Sequence, residues 1–232
     1  MVGSKIEMVY LIMEKIQHAK DIFEYKNFLS KEYCEQIIDY WNNQDDWELT
    51  CFYNAYVISG KKPKKENFDN LIGPVYHKFQ KTAESTFSKN LRPLSQSAHK
   101  WTPGAYAADH ADNAELDGTP NGWQENKLVT ILYLNDEYDG GYLTFRDHNL
   151  AIKPEAGTLM VFDVGIDNVH AVTEVKSGVR YTMMNSFDYA DSVYSIDLKA
   201  EKEAVKPEQD KLKEEWQEGK IDPSSATMPK MV

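Results

Sequence analysis

A series of short β-rich runs, separated by turn residues, fills the sequence between His99 and Tyr189 and limits the possible folds more than any other feature. The runs are 128–134 (LVTILYL), 141–145, 150–152, 158–163, 169–175 and 180–187. Turn signals that contain glycine stand at 139–141 (DGG) and 176–178 (KSG). Many short strands with regular turns are typical of a β-sandwich or a jelly roll.

The residues before these runs predict a partly helical region. Ser30 is a suitable helix N-cap, and apolar residues recur at helical spacing through 31–42, so we expect an amphipathic helix there. A second long helix is predicted from Leu71 to Phe87, and 22–29 and 52–59 are predicted strands. Helices followed by strands favour helices packed on one face of the β structure, so we predict a mainly β fold with flanking helices.

At 232 residues the chain is expected to form one domain with three parts. Residues 1–98 are the predicted support region of helices and strands, and 99–190 are the predicted β core. Residues 191–232 are a charged extension, predicted to be partly helical and then disordered. The segments 60–70 and 113–126 are predicted loops, either ordinary surface loops or lids over a site.

Charge and cysteine content argue against several classes of protein. A net charge of -11 disfavours a general binder of nucleic acid or of anionic membranes. Cys34 and Cys51 form no CxxC pair, which fits free thiols in a reducing compartment. Residues 1–20 lack a small-residue cleavage site and are predicted to be a helix, not a signal peptide. No run approaches the ~20 apolar residues of a membrane helix, so we expect a cytoplasmic protein, and its short acidic core would suit a bacterial or phage source.

The segment WTPGAYAADHAD, at 101–112, places His110 two residues before Asp112. On a β-strand these two side chains would project from the same face. A neutral imidazole and a carboxylate together suit Fe(II), and His170, in the sequence VHAV, offers a third ligand. Two histidines and one carboxylate leave coordination positions open for a bidentate co-substrate and O2, as in non-haem iron oxygenases.

The four other histidines need no metal to explain them. His18, His77 and His99 lie in predicted helices or at the start of a predicted strand. His148, in the sequence RDHN, lies in a predicted turn and is expected to be exposed to solvent.

Arg180 is the residue that would hold the co-substrate. 2-Oxoglutarate chelates iron through its keto and C1-carboxylate oxygens, so its far carboxylate must meet a buried cation, and a bidentate arginine suits that role. If 176–178 is a three-residue hairpin loop, Arg180 and Thr182 share one face with His170, and Arg180 lies roughly 13 Å from it. A two-residue loop would move Arg180 to the opposite face.

Taken together, these motifs resemble the catalytic core of the 2-oxoglutarate- and Fe(II)-dependent dioxygenases, and the prolyl 4-hydroxylase branch in particular. The motifs are WTPGAYAADHAD, VTILYLN, DGGYLTF, KPEAGTLMVF and VHAVTEVKSGVRYTMMNSF. They stand in the order that the family has. The preceding IFEYKNFLSKEYCEQIIDYW also looks like the first strand and helix of that family.

The resemblance implies a double-stranded β-helix (jelly-roll) fold and hydroxylation coupled to decarboxylation of 2-oxoglutarate, with O2 as co-substrate and ascorbate as a reductant. It implies that His110, Asp112 and His170 bind the iron and that Arg180 binds the C5 carboxylate. Tyr133 matches a tyrosine that supports the same carboxylate in the hypoxia-type relatives; the alternative is that it is an ordinary core residue of its strand.

Three details refine what the resemblance implies. Trp101 stands where many relatives have a tyrosine that can reach the C1 carboxylate, so that contact is expected to be weaker. Arg180 is the residue type of the hypoxia-factor hydroxylases, whereas collagen-type enzymes usually have lysine there. Asp112 favours hydroxylation, because iron halogenases of this fold replace the carboxylate by a small residue.

Several substrates agree with this core. The expected one is a prolyl residue in a peptide or protein, with Trp123 as an apolar substrate contact. The alternative is a free amino acid or another small molecule. A nucleic-acid demethylase is disfavoured by the acidic charge, and a membrane partner is not expected. A jelly-roll binding module without catalysis is the remaining interpretation.

Overall fold

The computed structural model describes residues 12–45, 47–50, 55–59, 68–195 and 197–218. The helices are α1 (Lys31–Asn42), α2 (Gly73–Phe87) and α3 (Leu198–Gln217). The strands are β1 (Glu14–Ala19), β2 (Ile22–Lys26), β3 (Glu48–Thr50), β4 (Ala55–Ser59), β5 (Leu91–Trp101), β6 (Ala107–His110), β7 (Leu128–Tyr133), β8 (Tyr138–Gly140), β9 (Leu143–Phe145), β10 (Leu150–Ile152), β11 (Leu159–Asp163), β12 (His170–Val172), β13 (Val175–Gly178) and β14 (Arg180–Tyr189).

The strands form two main antiparallel sheets. The major sheet has the order β1-β2-β11-β7-β14-β5-β4-β3, and the minor sheet has the order β10-β9-β12-β6. A separate ribbon pairs β13 with β8. Strands that are neighbours in a sheet are mostly distant in sequence, so the chain alternates between the two sheets. This arrangement confirms the predicted double-stranded β-helix.

The inner faces of the two sheets pack against each other. Val129 and Phe162 of the major sheet are fully buried with Leu143 and Phe145 of the minor sheet. The rings of Phe145 and Phe162 meet edge to face, with their centroids 5.0 Å apart. Burying each such side chain contributes on the order of 2 kcal/mol, so this layer fixes the spacing between the sheets.

The outer face of the major sheet carries the helices, as predicted. Helix α1 begins where the Ser30 hydroxyl accepts a hydrogen bond from the backbone N–H of Tyr33, at 3.2 Å. Its apolar side chains recur at helical spacing and pack with those of α2 against the sheet. The buried helical residues are Cys34, Ile37, Trp41, Val75, Tyr76, Phe79 and Ala83. Both helices therefore lie on one side, and the inner faces of the sheets remain available for a site.

Near the N-terminus, three of the predictions need comment. The helix predicted for 1–20 is wrong over Glu14–Ala19, which is strand β1 paired with β2. Pairing with β2 satisfies the backbone hydrogen-bonding groups of this segment, whereas its apolar run is too short to bury one face of a helix. Residues 1–11 lie outside the described residues, as do 52–54 of the predicted strand 52–59 and 60–67 of the predicted loop 60–70. The last three residues of that loop belong to a π-helical turn, Phe68–Ile72, ahead of α2.

The hairpin predicted around 176–178 is also wrong. Residues Val175–Gly178 form β13, which pairs with β8 and not with its neighbours in sequence. Gly140, the first glycine of the DGG turn signal, allows the two backbones to approach closely in this pairing. A Cβ at this position would lie 1.9 Å from the carbonyl oxygen of Glu174. The chain crosses from the minor sheet to the major sheet between His170 and Arg180. These two residues therefore belong to facing sheets and not to adjacent strands.

At the C-terminal end, the predicted partly helical character is seen in α3, while 219–232 lie outside the described residues. Helix α3 is tied to the core by an ion pair between Lys202 and Glu125, and the Glu125 side chain is almost fully buried. Within the described ranges, no helix has both the length and the apolar character that crossing a membrane requires.

Candidate active site

Two histidines meet across the edge of the minor sheet. His110 ends β6 and His170 begins β12, and the two are direct cross-strand partners. Their ring centroids lie 4.3 Å apart. The Asp112 Oδ1 atom lies 3.5 Å from Nε2 of His110 and 3.6 Å from Nε2 of His170. One ligand atom from each of the three residues lies within 4.8 Å of the others, so the three side chains converge on one point.

Asp112 reaches this point in a different way from the one predicted. It lies beyond the end of β6, so the rule that alternate residues of a strand share a face does not apply to it. Its backbone N–H donates to the carbonyl of Val164 at 3.0 Å. Its own carbonyl accepts from the side-chain amide of Asn121 at 3.3 Å. These two bonds hold the loop that turns the carboxylate back toward the histidines.

Backbone carbonyls fix the orientation of both imidazole rings. Nδ1 of His110 lies 2.7 Å from the carbonyl oxygen of Ala108, and Nδ1 of His170 lies 3.1 Å from that of Asn168. A carbonyl oxygen can only accept, so each Nδ1 carries the proton. The lone pair of each Nε2 is then directed at the Asp112 carboxylate, which is the arrangement of histidines that bind a metal.

The electrostatics of the three residues suit a bound divalent cation. Burial raises the pKa of the Asp112 carboxyl, and the nearby His110 acts in the opposite direction. Burial, and then the charge of His110, hold the pKa of His170 well below its ordinary value, so this ring is neutral. The converging site thus holds a largely buried carboxylate and a neutral His170 ring, and a metal ion would supply positive charge to this carboxylate. The donor set of two nitrogens and one carboxylate oxygen therefore fits Fe(II).

Arg180 lies in the interior on the facing sheet and is 1% exposed. Its Nη2 donates to the Tyr133 hydroxyl at 3.0 Å. Its guanidinium carbon lies 4.8 Å from the ring centroids of both Trp101 and Tyr133, which hold the group between them. Its Nε and Nη1 atoms have no hydrogen-bond partner among the described residues.

Unsatisfied donors on a buried cation indicate an anionic ligand. Leaving such donors unpaired is costly, since each buried polar group without a partner loses its interaction with water. Nothing in the described ranges gives Arg180 a carboxylate partner. A guanidinium presents paired donors in a planar fork that matches a carboxylate. This observation fits the far carboxylate of 2-oxoglutarate.

Trp101 and Thr182 complete the surroundings of Arg180. The Trp101 indole N–H donates to the Thr182 hydroxyl at 3.3 Å. Trp101 lies opposite Arg180 across β5 and β14, while Thr182 lies opposite His99 on one side and Tyr133 on the other. The indole N–H is thus engaged with Thr182, and the indole ring packs on Arg180.

The three converging residues and Arg180 lie at two ends of one interior. Phe162 forms one connection between the two ends. Its ring centroid lies 5.0 Å from that of His170, and it clusters with Tyr133, the hydrogen-bond partner of Arg180. Trp101, which packs on Arg180, forms a second connection. It packs with Ala107 and Val172, which belong to the strands of His110 and His170. A single apolar lining therefore joins the two groups.

This interior is closed at one end and open at the other. The side chains of His110 and Asp112 are 15% and 18% exposed, whereas Arg180 is almost completely buried. On the same inner face of the major sheet, Met184 and Ile131 are only half-buried and pack against the inner cluster. Solvent therefore reaches His110 and Asp112 and does not reach Arg180.

Trp123, the predicted substrate contact, is half-buried in a turn of the 113–126 segment. Its backbone N–H donates to the Asn121 side chain at 3.0 Å, and Asn121 also holds the carbonyl of Asp112. The segment is thus connected to the loop of Asp112. A role of Trp123 in binding substrate stays a prediction.

Sequence reasoning missed two histidines near the site. His99 is 7% exposed and lies on the inner face beside Trp101, with ring centroids 6.0 Å apart. Its position two residues before Trp101 in a strand is a signal that could have found it. His148 was expected to be exposed, but it is half-buried and hydrogen-bonded to Asn168. No local sequence pattern indicates that contact.

His99 predicts a dependence of stability on pH. Burial, followed by the positive charge of Arg180, lowers the pKa of His99 to about 3, against about 6.5 in an unfolded chain. Between these values the unfolded chain binds the additional proton, so we expect the free energy of unfolding to fall as the pH drops, by at most about 1.4 kcal/mol per pH unit. Urea unfolding of metal-free protein between pH 7.5 and 5 measures this slope. His99→Gln should make it shallower, with a remainder from His170, and equal slopes would contradict the assignment.

Comparisons with known proteins agree with this geometry. The family model described as the 2OG-Fe(II) oxygenase superfamily matches residues 96–187, which include all three converging residues and Arg180. Human prolyl 3-hydroxylase 3 is 37% identical over 83 residues, which are 31% of this chain and 11% of that protein. Mouse prolyl 3-hydroxylase 2 is 36% identical over 83 residues, which are 12% of its length. The chain therefore matches only a small part of these relatives.

Solved structures share the fold over most of the chain. The viral collagen prolyl hydroxylase of Paramecium Bursaria Chlorella virus-1, in its 2OG complex, has a TM-score of 0.58 at 19% identity and covers 74% of this chain and 98% of its own. A Pseudomonas putida prolyl-4-hydroxylase has a TM-score of 0.56 at 18% identity, covering 73% and 92%. Residues 96–187 therefore form a 2OG-Fe(II) oxygenase core that is similar in sequence to part of the prolyl 3-hydroxylases.

Proposed function

We propose that this protein is a 2-oxoglutarate- and Fe(II)-dependent oxygenase that hydroxylates a prolyl residue in a peptide or protein. The observation that carries the proposal is the pairing of two features in one interior. Three metal-binding side chains converge at its open end. A buried arginine with two unsatisfied donors lies at its closed end.

His110, Asp112 and His170 would hold the iron, and Arg180 with the Tyr133 hydroxyl would hold the C5 carboxylate of 2-oxoglutarate. When bound, the iron and 2-oxoglutarate supply the chemistry that couples decarboxylation to hydroxylation, and ascorbate is the proposed reductant. The protein would present Nε2 of both histidines to the iron, and the buried surroundings of Arg180 would exclude water from the far carboxylate of the co-substrate. Its Asp112 carboxylate would bind the iron where a halogenase of this fold has a small residue, which favours hydroxylation.

The position of hydroxylation on the proline ring is a separate question. The motifs of this sequence resemble the prolyl 4-hydroxylases, whereas the curated relatives at 36–37% identity are named prolyl 3-hydroxylases. The structural neighbours at 18–19% identity support only the fold. The relatives by sequence therefore favour carbon 3 of the ring, and the product must be analysed for both isomers.

The test measures succinate formed from 2-oxoglutarate by protein that has been loaded with Fe(II) without oxygen. A panel of proline-containing peptides is added, and the products are analysed for a gain of one oxygen atom and for 3- and 4-hydroxyproline. We expect peptide-stimulated succinate formation that is absent in His110→Ala. Slow turnover that no peptide stimulates, but that His110→Ala abolishes, would keep the oxygenase and overturn the peptide substrate in favour of a small molecule. No Fe(II) binding by the wild type would leave a non-catalytic module.

A further inference from the structure

His148 lies in a short 3-10 turn, Arg146–His148, that follows β9. Its Nε2 atom lies 2.8 Å from the side-chain oxygen of Asn168 and 3.1 Å from the carbonyl oxygen of Asp167. The Asp167 carbonyl can only accept, so Nε2 of His148 is a donor. His148 thus connects its turn to a second 3-10 turn, Ile166–Asn168, which leads directly into β12.

Asn168 contacts both His148 and His170. Its side chain, 3% exposed, accepts from His148, while its backbone carbonyl accepts the Nδ1 proton of His170. Its backbone N–H is bonded to the carbonyl of Gly165 at 2.9 Å. One residue therefore joins His148 to the ring of a proposed iron ligand.

The two proposed histidine ligands differ in how their acceptors are held. The acceptor for His110 is Ala108, inside the same strand β6, which is paired with β12 at Ala107 on one side of it and at His110 on the other. The acceptor for His170 is the last residue of a 3-10 turn, outside the strand. Such a turn has no sheet partner to hold it, so its position depends on contacts from elsewhere, and the bond from His148 is one of these.

We propose that His148 is a positioning residue for His170. It fixes Asn168, which keeps the imidazole of His170 in the orientation that binds the metal. The partner of the second ring nitrogen controls the orientation and basicity of a histidine ligand, and its loss weakens metal binding. This inference rests on the proposed function, because it requires His170 to be a metal ligand.

The first test measures Co(II) binding to metal-free protein, with the visible absorption bands of Co(II) as the second readout. His148→Ala removes the donor, whereas His148→Gln places an amide N–H close to the position of Nε2. We expect the alanine variant to bind Co(II) about fivefold more weakly, as for the loss of one neutral hydrogen bond, with altered absorption bands. We expect the glutamine variant to restore both. Asp147→Asn, in the same turn with a side chain that is 52% exposed, is the matched control and should bind as the wild type does.

The second test identifies the route through Asn168. If His148 acts through the Asn168 side chain, Asn168→Ala should weaken Co(II) binding by a similar factor, and the double variant should be no weaker than the single ones. Fully additive losses, or a His148→Ala variant with unchanged affinity and bands, would overturn the inference. A wild type that binds no Co(II) would instead contradict the proposed function itself.

Discussion

Substitution of Asp112 by alanine is expected to remove detectable succinate formation and to weaken Fe(II) binding by at least about a hundredfold. The residue supplies the one charged ligand of the three, and the two histidines that remain cannot neutralise a divalent cation. Equilibrium binding of Fe(II) or Co(II), measured without oxygen, tests this directly. Asp109→Ala is the matched control, since Asp109 lies one residue before His110 but faces Arg146 at 3.6 Å with a side chain that is 42% exposed.

Asp112→Ala weakens metal binding, but it should not lower the thermal stability of the metal-free protein. Burial raises the pKa of Asp112, which means that the folded state disfavours its charge. At pH 7 the uncompensated carboxylate therefore destabilises the fold, and its removal should leave the melting temperature of the metal-free protein unchanged or higher. The increase in melting temperature that metal produces should disappear, because binding to the folded state is its source. An Asp112→Ala variant that is still stabilised by metal would contradict the ligand assignment.

Arg180→Met is expected to raise the KM for 2-oxoglutarate by roughly a hundredfold or more. Methionine retains an apolar stem between Trp101 and Tyr133 but offers no donor to the far carboxylate. A charge-assisted bond contributes about 1.5–3 kcal/mol, and a bidentate pair contributes more than one such bond. Arg180→Lys should recover part of this loss, because a point charge remains without the planar fork. Tyr133→Phe should have a smaller effect, since it removes a single hydroxyl.

A co-substrate without the far carboxylate provides the matched control. The wild type should use 2-oxobutanoate far less well than 2-oxoglutarate, because nothing would then satisfy Nε and Nη1 of Arg180. Arg180→Met should lose this discrimination and treat the two keto acids alike. Steady-state CO2 formation with each keto acid gives the comparison, together with succinate from 2-oxoglutarate and propanoate from 2-oxobutanoate. If the variant still prefers 2-oxoglutarate as strongly as the wild type does, the carboxylate is bound elsewhere.

Local patterns predicted the parts of this fold that depend on local interactions. Helix α1 follows from its N-cap at Ser30 and from its apolar spacing. The pairing around 176–178 could not be found in this way, because β13 obtains its partner from β8, far away in the sequence. The turn signal at 176–178 predicts a hairpin, but in the structure the glycines at 139–141 and 176–178 allow the backbones of β8 and β13 to approach closely. A glycine-containing turn signal alone cannot distinguish a hairpin turn from the close approach of two strands that are distant in sequence.

The candidate site shows the same division. His110, Asp112, His170 and Arg180 were recognised from motifs and from the ligand types that the chemistry needs. Their routes to one interior were not predicted, since Asp112 lies beyond its strand and Arg180 arrives on the opposite sheet. The contact of His148 with Asn168 joins two turns that only the folded chain brings together, so no sequence period could reveal it.

The closed end of the interior around Arg180 has a kinetic consequence. Because solvent reaches the interior from the end where His110 and Asp112 lie, a molecule that is to bind Arg180 must pass these two residues first. A peptide held across that opening would block the passage in both directions. Turnover should therefore follow a compulsory order, with 2-oxoglutarate bound before the peptide and succinate released after the hydroxylated product has left.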